Sequence, residues 1–151
     1  MTDDRPDSVC VIVLNGEGND ARVLVMRRSR GAFAGSFTYV LGGIEPGERA
    51  PEAALRELRE ETGLAALRLF LSGAFDTFYD PARDAIRKVA VFVARVDSRD
   101  IVLDDAHDRF AWLTFAEAGE LLEFPSHRRM LADVRRDFVD RRPSAWRELP
   151  V

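Results

Sequence analysis

A chain of 151 residues is long enough to bury a core and short enough to form one domain. Its formal net charge of −4, from 22 Lys and Arg against 26 Asp and Glu, leaves no basic surplus to neutralise a run of phosphates, which argues against bulk binding to nucleic acid. No apolar run approaches membrane length and the acidic start MTDDRPD lacks the features of a signal peptide, so a cytoplasmic protein with no membrane association is expected.

In chain order, residues 8–14 read as a buried strand, 15–20 as a turn and 22–28 as a second strand completing a hairpin. Cys10, the sole cysteine, lies in the first apolar run and reads as a core thiol. A glycine-containing loop over 29–36 leads to a short strand at 37–40. A helix is predicted over roughly 51–62, with Pro51 in its first turn and Gly63 as its cap. Strands over 67–78 and 86–96 follow, then one over 109–113. Thr114 and Glu117 have the spacing of a capping box that opens a short helix, and a last helix begins at Ser126 and runs to about Asp140. Residues 1–7 and 142–151 read as loose ends, leaving a single domain over 8–141. This alternation predicts an α/β or α+β layered fold.

The densest chemistry lies between Gly42 and Leu64, which reads GGIEPGERAPEAALRELREETGL. On the predicted helix, Ala54, Leu55 and Leu58 form an apolar face, and Glu57, Glu60 and Glu61 stand together at i, i+3 and i+4. Like charges at that spacing cost roughly 0.2–0.5 kcal/mol per pair, so three of them beside Glu48 call for cations. Pairing with Arg56 and Arg59 on a solvated face is the plain alternative. Oxygen ligands of this kind suit hard divalent metals, Mg²⁺ above all, and the glycines of the preceding loop allow a close backbone approach.

The segment also resembles the Nudix box: Gly42, five residues, Glu48, seven residues, then Arg56-Glu57-Leu58-Arg59-Glu60-Glu61-Thr62-Gly63-Leu64, in which Arg59 and Thr62 are unspecified and all nine specified positions are filled across 23 residues. The resemblance implies the Nudix α/β/α sandwich with a mixed central sheet. It further implies a Mg²⁺-dependent pyrophosphohydrolase, with Mn²⁺ as an alternative ion, in which water attacks phosphorus in the diphosphate linkage of a nucleotide. On that reading Glu57, Glu60 and Glu61 hold metal with the Leu41 or Gly42 carbonyl, Glu57 is the first candidate for general base, and Arg56 holds a glutamate in place. Many relatives dimerise, so a homodimer is an expectation of the resemblance.

Beyond the box, the stretch from Ile101 to Leu113 is similar to dinucleoside tetraphosphate hydrolases and to dihydroneopterin triphosphate and dATP pyrophosphohydrolases. Two departures stand out. Ala106 occupies a place where relatives carry a glutamate, leaving Asp104, Asp105 or Asp108 to cover that role, and Tyr39-Val40-Leu41 replaces an aromatic-Pro-Gly run. For the substrate, Arg27, Arg28, Arg30, Arg87 and Lys88, the single lysine, are phosphate candidates. Phe75, Phe78, Tyr79 and Phe110 are candidates for stacking on a base, with core or rim packing as the alternative. His107 reads as a structural donor that also has the chemistry to bond substrate or water, and His127 as a surface residue. A nucleoside triphosphate is the leading substrate class, a dinucleoside polyphosphate such as Ap₄A the alternative. A non-hydrolytic nucleotide sensor is disfavoured because all three helix glutamates are present, and isomerase chemistry because Cys10 lies in an early core strand.

Overall fold

The computed structural model describes residues 3–151; Met1 and Thr2, part of the expected loose N-terminus, lie outside the described residues. Strand β1 (Ser8–Asn15) is apolar on both faces because both are covered, and every residue from Val9 to Leu14 is buried. It pairs antiparallel with β2 (Arg22–Arg28) and β4 (Val40–Gly43) and parallel with β6 (Ala85–Arg95). Strand β3 (Phe37–Thr38) and β7 (His107–Leu113) both pair with β2, and β5 (Arg68–Asp80) pairs with β6. The sheet is therefore mixed, as the resemblance implied.

Two helical layers enclose it. Helix α1 (Ala50–Thr62) packs Ala53, Ala54 and Leu58 against Val9, Val11, Val13, Leu24 and Met26. On the other face, α2 (Phe115–Leu121) and α3 (Pro125–Val134) close over Cys10, Ile12, Leu14, Val23 and Val25. Alternate residues of β1 thus feed two separate cores, the arrangement of an α/β/α sandwich.

Local signals set most boundaries. Gly63 adopts the left-handed conformation (φ 75°) and its N–H caps α1 by donating to the Arg59 carbonyl at 2.8 Å. Thr114 Oγ1 accepts from Glu117 N–H while Glu117 Oε1 accepts from Thr114 N–H, the expected capping box. The last helix reaches Asp140, but its final segment, Arg135–Asp140, is a π-helix.

Four expectations change. Strand β7 starts at His107 rather than Arg109, and β5 carries a bulge between Leu71 and Phe75 where Gly73 takes φ 85°. The tail 142–151 is not loose: Glu148–Leu149 forms β8 on the free edge of β5, held by Arg68 donating to both oxygens of Glu148 at 2.7 and 2.8 Å. His127 is buried, not on the surface, because α3 lays it on the Tyr39 ring at 4.8 Å between centroids. Among the described residues no helix is long and apolar enough to cross a membrane.

Candidate active site

Strand β4 delivers Leu41, Gly42 and Gly43 alongside α1, and the intervening loop folds back so that Glu48 meets Arg56. The Arg56 guanidinium is the hub of the site. It donates to the two Glu48 oxygens at 2.7 and 2.8 Å, to Glu57 Oε1 at 2.9 Å, to Glu60 Oε2 at 3.1 Å and to the Gly43 carbonyl at 2.9 Å. Only a planar fork with five N–H groups reaches so many acceptors from one side chain. The i,i+4 pair of Arg56 with Glu60 is therefore one part of a larger network that ties loop, helix and β4 together.

Gly42 has a steric reason to be glycine. A Cβ at that position would overlap the Glu57 carboxylate, which lies directly against the Gly42 backbone. Glu57 is thus wedged between a bare Cα and Arg56, with 13% of its side chain exposed. Its carboxyl is held above the usual range because burial outweighs the nearby guanidinium. Glu48 goes the other way, down to about 2, chiefly because Arg56 donates to it.

The three helix glutamates do not share one environment. Glu60 stays in solvent with 55% of its side chain exposed, while 4% of the Glu61 side chain is exposed. Glu61 lies three residues from Leu58, at the border of the apolar face, and the incoming segment covers it: Val102 N–H donates to the Thr62 carbonyl at 2.9 Å. Burial, followed by the charge of Glu57, pushes the Glu61 carboxyl up to about 9. Both Glu61 oxygens are buried without a hydrogen-bond partner among the described residues. Glu57 adds a second carboxylate nearby, and two ionised carboxylates can only face each other as acceptors. Buried polar atoms of this kind cost free energy unless something completes them. A set of hard oxygens with uncompensated charge fits a divalent cation.

The first residue of β7 supplies the partner, a histidine that the sequence presents as a structural donor. His107 is buried, its Nδ1 2.7 Å from Asp104 Oδ1 and its Nε2 3.3 Å from Glu61 Oε1. Of the aspartates proposed in place of Ala106, Asp104 is the one beside Glu61. Asp108 instead binds Arg27, at 2.8 and 2.5 Å, and Asp105 offers its carbonyl to Ser29 Oγ. The spacing Asp104-x-x-His107 was the available signal, since i,i+3 residues in a tight turn can meet.

The substrate candidates divide by position. Arg27 lies one residue before the end of β2, beside Asp108 of β7, and just beyond it Ser29 N–H donates to the Ala106 carbonyl. Arg87 and Lys88 lie at the start of β6, engaged by Asp7 at 3.9 Å and Asp4 at 3.0 Å. They sit at the end of the sheet where Ser8 pairs with both Val89 and Gly43, two strands from the box. Phe110 lies opposite Met26 on β7 and is 43% exposed. Phe78 makes an edge contact with Phe33 at 6.3 Å, and Phe33 another with Phe124 at 5.0 Å. Phe33 and Phe124 were not anticipated, because nothing local marks a loop aromatic that meets a distant ribbon.

Residues 4–134 match the family profile described as NUDIX domain. An octanoyltransferase of Myxococcus xanthus is 34% identical over 121 residues, covering 78% of this chain but only 33% of that protein's length. The nucleoside triphosphatase NudI of Salmonella typhimurium is 33% identical over 99 residues, 58% of this chain and 68% of that one. Among solved structures, an Ap4A hydrolase of C. elegans in a binary complex superposes with a TM-score of 0.72 over 85% of this chain and 94% of that one; at 18% identity the likeness is one of fold. A filled box, its glutamates gathered about Arg56, and a family match across most of the domain lead to one conclusion: the chain belongs to the Nudix hydrolase family.

Proposed function

We propose that this protein is a Mg²⁺-dependent pyrophosphohydrolase, with Mn²⁺ as an alternative ion, that cleaves a diphosphate linkage in a nucleoside triphosphate or related nucleotide. The observation that carries the reading is the pair of environments on α1. Arg56 holds Glu48, Glu57 and Glu60 in place, while Glu61 lies buried with both oxygens unpartnered. Glu57, Glu60 and Glu61, with the Leu41 or Gly42 carbonyl, are the groups that would hold the ion. When bound, a divalent cation offsets charge on phosphate oxygens and acidifies water.

Glu57 is assigned as general base. Its carboxyl, raised by burial, is better matched to accepting a proton near neutral pH than an ordinary surface glutamate. In the step, a water oxygen forms a bond to phosphorus, the P–O bond to the departing phosphate breaks, and Glu57 takes the water proton. Arg56 acts as a positioning residue by fixing the Glu57 carboxylate against Gly42. Arg27, Arg87 and Lys88 are assigned to the phosphate chain and Phe110 to the base.

The nucleoside triphosphatase relative favours a triphosphate substrate. A dinucleoside polyphosphate is the second reading, favoured by the exposed Phe110 ring at a place suited to stacking. A panel of nucleoside triphosphates, Ap₄A, ADP-ribose, a nucleotide sugar and dihydroneopterin triphosphate, assayed for phosphate release with and without Mg²⁺, tests both. Metal-dependent turnover lost in Glu57→Gln is expected. Nucleotide binding without turnover of any of them would overturn the hydrolytic reading.

A further inference from the structure

The Asp104–His107–Glu61 corner holds a nitrogen donor that an all-oxygen site for Mg²⁺ does not need. Asp104 Oδ1 stands 2.7 Å from His107 Nδ1, so that nitrogen carries the proton and donates it. The other nitrogen, Nε2, lies 3.3 Å from Glu61 Oε1, and in the neutral ring it carries the lone pair at that place. Side-chain exposure is 1% for His107 and 4% for Glu61, and Nε2, Oε1 and Oε2 all lack a hydrogen-bond partner among the described residues. With the ring neutral and Glu61 ionised, two acceptors face each other away from water and repel; a cation between them turns the contact attractive.

We propose that His107 Nε2 and Glu61 together ligate a divalent ion, and that this nitrogen donor makes the site bind a borderline transition ion, Co²⁺ or Zn²⁺, more tightly than the Mg²⁺ that supports turnover. The inference rests on the reading of the Glu61 region as a metal site and concerns which ion that site holds most tightly. Two donors each about 2.1 Å from a shared ion are about 3.0 Å apart at a right angle and about 3.4 Å apart in a tetrahedron. The observed 3.3 Å lies between those limits. Donor atoms of Glu61, Asp104 and His107 all lie within 4.8 Å of one another. Asp104 stands where a carboxylate orients a metal-bound imidazole, fixing the tautomer and the ring plane. Imidazole suits zinc and its neighbours in the first transition row, whereas Mg²⁺ keeps oxygen ligands and water.

The test uses the metal-free full chain with ¹⁵N-labelled histidine. On addition of ZnCl₂ the Nε2 resonance of His107 is expected to move, with no comparable response to the same concentration of MgCl₂. Visible absorption during a CoCl₂ titration, with MgCl₂ as competitor, is expected to give at least about tenfold tighter binding of Co²⁺. His107→Gln should abolish that preference. Asp104→Asn, a half-exposed and milder change, should weaken Co²⁺ binding by roughly 10- to 100-fold with the fold intact. An unmoved Nε2 resonance, or a Co²⁺ preference that survives His107→Gln, would overturn the proposal and leave a shared proton as what joins the pair. Phosphate release separates this from the hydrolase reading. Turnover with Mg²⁺ and a silent His107 sinks the ion selectivity alone; a responding His107 without turnover of any nucleotide sinks the hydrolysis alone.

Discussion

The middle and the C-terminal end of one helix solve the problem of crowded carboxylates in opposite ways. Near the middle of α1, Arg56 satisfies Glu48, Glu57 and Glu60 at once, and the cluster is complete within the chain. One turn later, Glu61 faces His107 Nε2 with Glu57 and Asp104 nearby, and its oxygens stay without hydrogen-bond partners among the described residues. The first region is organised by a cation that the sequence supplies. The second has the charge and the burial of a site organised by a cation from outside. A network that is closed on itself holds geometry; one left open is where binding and chemistry can happen.

The largest effect that sharpens this contrast is expected from Glu57→Gln, which sits where the two regions touch. Turnover of the best nucleotide substrate should fall by about 10²- to 10⁴-fold, read by phosphate release, with the thermal midpoint little changed. Wild-type rates in that variant would remove Glu57 as the base.

His127 gives a control for burial that has no cation to gather. Its Nδ1 also lacks a partner among the described residues, and burial brings its pKa down to about 4. The folded value lies below the unfolded one of about 6.5, so below that pH the unfolded chain takes up a proton that the folded one refuses. Stability should fall as pH drops from about 6.5 to 4, by on the order of 3 kcal/mol, and return above 6.5. His127→Gln should flatten urea midpoints across that window; an unchanged slope would show that the ring is not charged at such a cost.

Arg56→Ala removes the internal cation and should convert the closed region into an open one. Three carboxylates then repel in a half-buried setting, and chemical denaturation should register a loss of about 2 kcal/mol that added divalent ion partly restores. No loss would mean that the network is held by backbone alone. Arg27→Ala should matter least for stability: its pair with Asp108 is exposed and screened by solvent, and a denaturation midpoint close to that of the wild type is expected in the same assay. A larger loss would place that pair in the folding core rather than on the rim.

Much of the fold follows from local pattern. The apolar run of β1, the caps of α1 and α2, and the hairpin of β1 and β2 are dictated by chemistry within a few residues, and they form where the spacing places them. The π-helical end of the last helix and the β5 bulge were not legible, because each depends on packing against a distant element. Strand β8 has two residues and no periodicity to read; it exists because β5 leaves an unpaired edge and Arg68 meets Glu148 there.

The site divides in the same way. The sequence alone determined the helix that carries Glu57, Glu60 and Glu61, the arginine among them and the glycine-rich approach to it, since a helix places i, i+3 and i+4 together whatever surrounds it. Only the tertiary structure decided that Gly42 must lack a Cβ because Glu57 lies against it, and that Glu61 is buried while Glu60 is not. It also decided that His107 and Asp104, more than 40 residues further on, complete the corner. Helical periodicity fixes which side chains are neighbours on a helix, but burial is set by what packs on it, and here His107 lies against Glu61 while Glu60 is left to solvent.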